Sequence, residues 1–144
     1  RYPAVLANFQ KLLYEAKTFR LAVGTQFGGN VGGATLKPLV FSYLNSVTVL
    51  GEDAVRVYLG GFFANSYYLG REDTFQFMTG VELPLIHEQF HLLADHIHGQ
   101  HGFGVSVFGA VYFLTPRFSL SGGLQLPNSG SGNFQAAVIE LTWL

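Results

Sequence analysis

Five histidines and two carboxylates fall within residues 87–101, the densest run of chemistry-bearing side chains in the chain: His87, Glu88, His91, Asp95, His96, His98 and His101. Imidazole beside carboxylate is ordinary ligand chemistry for zinc, copper or nickel. The stretch His87-Glu88-Gln89-Phe90-His91 also spells H-E-x-x-H. On a helix that pattern presents two zinc ligands and a general base on one face. The surroundings argue against a helix. Pro84 precedes the run, and Phe90, Leu92 and Ala94 recur at every second position, the period of a strand. On a hairpin His87 and His91 belong to different strands. The stretch therefore reads as a polar turn and loop at the rim of a β-structure. His87, His91, His96, His98 and His101 remain the candidate metal ligands, with no resident cofactor expected. A metal-dependent hydrolase using His87, Glu88 and His91 is one alternative.

The other charged candidates are Arg20, Arg56, Glu82, Asp95 and Glu140. Each lies on the more polar face of an alternating segment, and together they are expected to point into the lumen of a barrel. There they would either set ion selectivity or pair as internal salt bridges, the structural role being favoured. Gly28-Gly29 and Gly32-Gly33 are not followed by Gly-Lys-Ser/Thr, so they read as flexible loop residues that break the strand rather than a phosphate cradle. With no cysteine in the chain, disulfides, thiolate metal sites and cysteine catalysis are excluded. No catalytic residue is assigned, and the chain reads as a non-enzyme.

The elements that must hold these groups are strands. From residue 19 the period is two: Phe19, Leu21, Val23, Thr25 and Phe27 share a face, opposite Arg20, Ala22, Gly24, Gln26 and Gly28. Segments 34–49, 55–63, 75–85, 90–94, 103–113, 118–126 and 137–143 repeat the design, giving about eight strands. In segment 103–113, Phe103, Val105, Val107, Gly109, Val111 and Phe113 are expected to form the outward, greasy face. Residues 1–17 are expected to be helical or an irregular first strand, because Val5, Leu6, Phe9, Leu12, Leu13 and Ala16 recur at helical spacing. Tyr67, Tyr68, Tyr112, Phe113, Phe118 and Trp143 lie near strand ends, as in an interfacial girdle.

Composition narrows the choice. Hydrophobic residues make up 49% and charged residues 12%, with net charge −1, against about 25% charged in an average soluble domain. No basic patch suggests a nucleic-acid partner. No apolar stretch reaches the roughly 18–20 residues of a spanning helix. The segments run longer than the about 5–6 residues typical of soluble strands. They suit the roughly 9–11 residues of a tilted membrane strand. The expected fold is a single all-β domain over 1–144, an antiparallel up-and-down β-barrel of transmembrane type.

Residues 79–144 carry a resemblance. They hold Gly80-Val81-Glu82-Leu83-Pro84-Leu85, Leu92-Leu93-Ala94-Asp95, Gly99, Gly104, Gly109 and Tyr112. Leu114-Thr115-Pro116, Gln125-Leu126-Pro127-Asn128 and Glu140-Leu141 follow in order. In order and spacing this half resembles a family of bacterial outer-membrane β-barrels labelled as transporters or as associated with phenol meta-degradation. The first half is similar only at Leu21-Ala22-Val23-Gly24. The sequence departs from the family pattern at His96, where an aromatic is usual, and in its terminal Trp143-Leu144. The resemblance implies an outer-membrane location, a lipid bilayer as partner, and small solutes or other envelope subunits as further partners. It also implies a longer chain, with amino-terminal strands outside this sequence. The alternative reading is a soluble or extracellular all-β subunit whose apolar faces are buried by partner chains or by further copies of itself.

Overall fold

A computed structural model describes residues 4–30, 37–51, 54–69, 74–86 and 89–143. Nine antiparallel strands follow one another in a single curled sheet, in the order of the chain. They are β1 (Ala4–Glu15), β2 (Phe19–Asn30), β3 (Pro38–Leu50), β4 (Val55–Ala64), β5 (Thr74–Ile86), β6 (Phe90–Ile97), β7 (Val105–Thr115), β8 (Phe118–Pro127) and β9 (Ala136–Trp143). One helical turn, α1 (Ser66–Leu69), interrupts the β4–β5 connection. Among the described residues no helix is long and apolar enough to cross a membrane.

The connections alternate in length. Those after β1, β3, β5 and β7 span two to four residues, and those after β2, β4, β6 and β8 span seven to nine. The sheet thus has a short-turn end and a long-loop end. Pro116 suits the tightest of the turns, where Thr115 Oγ1 accepts a hydrogen bond from the Arg117 amide at 3.2 Å. Register shifts occur at Leu12/Tyr14, Pro84/Ile86 and Phe113/Thr115. All three lie beside short turns, where an extra residue bends a strand without disturbing its middle.

Pairing register assigns the strand residues to faces, apart from the unpaired Leu13, Leu85 and Leu114 at the register shifts. The convex face carries Phe9, Phe27, Leu44, Leu59, Phe77, Leu83, Leu92, Phe108, Leu124 and Ile139, all exposed. The concave face carries the buried residues: Phe62, Ala64, Glu82, His91, Val105, Val111 and Ser119. At the loop end, Leu69 of α1 tucks into the concavity against Phe62 and Ala64, flanked by Phe41, Tyr43, Met78 and Ile97. The Phe41 and Phe62 rings sit 4.9 Å apart. Asn65 ties the start of α1 to β3. Its Nδ2 donates to the Pro38 carbonyl at 2.9 Å, and its Oδ1 accepts from the Val40 amide at 3.3 Å.

Two expectations are corrected. Residues 4–15 form a full strand, so the helical reading of the first segment fails, although the shift at Leu12/Tyr14 makes that strand irregular. Apolar residues at helical spacing misled because β1 is an edge strand with exposed apolar side chains on both faces, such as Phe9 and Leu12. On β7 the faces are reversed. Val105 and Val111 are buried on the concave side, whereas Phe108 and Tyr112 are exposed on the convex side. His91 pairs with Val111, and Val111 with Ser121, so the polar faces of the two neighbouring strands fix which side of β7 turns inward.

Candidate functional site

The concave face of β4, β5 and β6 brings four polar side chains together. Arg56 and Glu82 are direct cross-strand partners, so a period of two delivers both to the same side. Tyr58 lies two residues beyond Arg56, and His91 faces Pro84, two residues beyond Glu82. The Glu82 carboxylate is buried and accepts from three donors. Arg56 Nη1 donates to Oε1, His91 Nδ1 meets Oε1 at 2.5 Å, and the Tyr58 hydroxyl donates to Oε2 at 2.5 Å. A carboxylate only accepts, so the proton between it and His91 sits on Nδ1. His91 Nε2 is then directed away from Glu82. It is buried and has no hydrogen-bond partner among the described residues. The His91 ring packs against Phe113 with centroids 5.0 Å apart.

This arrangement is electrostatically closed. The guanidinium neutralises the carboxylate, and the phenol and imidazole fill its remaining lone pairs. These bonds tie β4, β5 and β6 together through one carboxylate. Asp95 lies on the same face, paired with Gly80 on β5, one row from Glu82. Arg20 and Glu15 face each other across β1 and β2, with Nε 2.8 Å from Oε1 and both side chains largely exposed. Glu140 lies on the concave side of β9, where its Oε1 accepts from Thr142 Oγ1 at 3.1 Å. Arg20, Arg56, Glu82, Asp95 and Glu140 thus share the concave face, and only Arg56 and Glu82 of the five come together in one network.

The histidines disperse. His87 and Glu88 lie outside the described residues. His91 is on the concave face, and His96 is on the convex face with Nδ1 2.9 Å from Ser106 Oγ. His98 follows β6 at the loop end, its ring 6.0 Å from that of His96. His101 turns inward and meets the edge of Phe62 with centroids 5.9 Å apart. Among the described residues no three His, Asp or Glu side chains group so as to hold a metal ion.

His101 instead organises the loop end. Its Nδ1 accepts from the Phe103 amide at 3.1 Å, which leaves the proton on Nε2 to be donated to the His98 carbonyl at 3.0 Å. Asn128 Nδ2 donates to the carbonyls of Ile97 and Gly99 at 2.9 and 3.0 Å, and Asn133 Nδ2 to those of His101 and Gly104 at 3.4 and 3.3 Å. These bonds stitch the β6–β7 loop to the β8–β9 loop. Beside them opens a cavity of about 650 Å³ lined by Gln76, His96, His98, Gln100, Asn128 and Ser129, among others.

Sequence reasoning passed over Tyr58 and the two asparagines. The signal for Tyr58 was its place two residues from Arg56 on the same face. Asn128 stood out only as the end of the Gln125–Asn128 motif and Asn133 not at all, because the carbonyls they hold come from a loop about thirty residues away. No protein-family model matches the chain, and no curated protein or solved structure matches it either.

Proposed function

We propose that this chain is the wall of an outer-membrane β-barrel that carries small solutes and has no catalytic role. The observation that carries this reading is the inverted placement of polarity. Leu59, Phe77, Phe108, Leu124, Ile139 and Leu141 on the convex face are 54, 59, 54, 63, 81 and 61% exposed, while Glu82 and His91 are buried on the concave face. A water-soluble sheet buries its apolar face under a second layer. Among the described residues no such layer covers this one. Hydrocarbon supplies the missing contact, and antiparallel pairing satisfies the backbone groups it would otherwise strand.

Other features agree. Convex hydroxyls find partners within the sheet: Thr25 Oγ1 lies 3.0 Å from Ser42 Oγ, and Ser46 Oγ donates to the Leu59 carbonyl at 2.9 Å. Aromatic residues gather near both rims of the convex face. Tyr14, Phe19, Phe90, Tyr112, Phe118 and Trp143 flank the turn end, and Phe27, Phe63, Phe75 and Phe77 the loop end. The eight steps from Phe19 to Phe27 cover about 27 Å of strand. At a tilt of roughly 40° that is about 20 Å along the membrane normal, close to the apolar band of such barrels. The resemblance of residues 79–144 to outer-membrane transporters points the same way.

Fractionation tests the reading. The protein should stay with the membrane until detergent is added, and it should migrate faster on a gel before boiling than after. Recovery without detergent as a large soluble particle would overturn the proposal and assign the convex face to protein partners.

A further inference from the structure

We infer that the loop-end cavity is a capture site for a neutral, polyhydroxylated small molecule of the sugar or polyol class; this rests on the solute-carrying reading above. The volume of about 650 Å³ lies within the range of small-molecule sites. Its walls are set in advance by Asn128 and His101, whose hydrogen bonds to the carbonyls of Ile97, Gly99 and His98 are already made. Other lining groups are uncommitted. The side chains of Gln76, His98, Gln100 and Ser129 have no hydrogen-bond partner among the described residues, and His96 is held through Nδ1 alone.

The chemistry of these groups selects the ligand. A carboxamide offers two donors and an acceptor, and a serine hydroxyl does both. Hydroxyl-bearing ligands need that combination at every position. Among the described lining residues there is no Asp, Glu, Lys or Arg, so an ion meets no carboxylate, ammonium or guanidinium counter-charge among them. The cavity is open to solvent, which suits brief capture rather than tight retention.

Saturation-transfer NMR on the purified full chain tests this with four probes: maltose, glycerol, benzoate and spermidine. Maltose should bind, glycerol should bind more weakly, and the two ions should give no signal. Gln76→Ala combined with Gln100→Ala should weaken maltose binding about tenfold, at roughly fivefold for each hydrogen-bonding group lost with partial compensation. Ser129→Ala provides a milder second variant at an exposed position that leaves the loop scaffold intact. Absence of maltose binding, equal binding of benzoate or spermidine, or maltose binding unchanged in both variants would each overturn the inference. Zinc bound through His96 and His98 in place of maltose would overturn it as well. Failure here leaves the fractionation result standing. Sugar binding by a protein that fractionates as soluble would keep the cavity's role and remove the membrane.

Discussion

At the residue scale, burial makes Glu82 the side chain on which most depends. Its carboxylate is 8% exposed and His91 4%, while Arg56 reaches water with 38% of its side chain. Removing the shared acceptor strands three donors, two on β4 and one on β6. Glu82→Ala should therefore cost about 3–5 kcal/mol, the range for breaking one partner of a buried pair. Glu82→Gln, which keeps an acceptor, should cost clearly less. Urea unfolding of the reconstituted protein measures both. A second prediction concerns Gly24. A Cβ there would lie 2.2 Å from Tyr43 Cζ, because the Tyr43 side chain crosses the glycine and its hydroxyl donates to Gln10 Oε1 at 3.1 Å. Gly24→Ala should cost about 1–3 kcal/mol by forcing the ring aside. The same substitution in a Tyr43→Ala background should cost less, and that sign in a double-mutant cycle checks the packing directly.

At the element scale, the sequence made the strands legible where the two faces differed in polarity and failed where they did not. On β2, Arg20 and Gln26 stand opposite Leu21 and Phe27, and the predicted faces match the observed ones. On β7, both faces are apolar or small, so alternation alone could not say which turned inward. That was settled by the neighbours, through His91 on one side and Ser121 on the other. The network around Glu82 was half legible. Arg56 and Glu82 were visible as same-face charges, but joining them needed the β4–β5 register, which depends on a loop of nine residues. Where the sheet curls between β7 and β8, three glycines allow the backbones to close in. A Cβ on Gly109 would lie 2.4 Å from the Gly122 carbonyl oxygen and 2.9 Å from Gly123 Cα, whereas a Cβ on Gly122 has nothing nearer than 3.8 Å. Backbone cannot rotate away as a side chain can. Gly109→Ala should destabilise by about 2–3 kcal/mol and Gly122→Ala by less than about 1 kcal/mol. Equal effects in urea unfolding would mean that the two strands do not approach in this way.

At the scale of the whole molecule, the membrane reading makes demands that the sheet alone does not meet. β1 and β9 are its edges, and an unpaired edge cannot lie in hydrocarbon. Both strands run in the same direction, since each neighbour reverses the last, so antiparallel closure requires an odd number of further strands between them. The convex face gives the sharper test, because three environments treat one substitution differently. Leu124 is 63% exposed in the middle of β8, and Ile86 is 56% exposed at the end of β5, paired with Phe90 at the turn rim. Facing water, arginine at either site would change stability by less than about 0.5 kcal/mol. Against a protein partner, each would disrupt assembly according to its place in the interface, with no relation to distance from the rim. Against lipid the cost follows depth. Leu124→Arg should cost about 2–4 kcal/mol and Ile86→Arg about 0–1 kcal/mol, the former meeting the bilayer centre and the latter reaching headgroups with its long side chain. Unfolding of the two variants by urea from liposomes measures the difference, and equal costs at the two positions would remove the bilayer from the account.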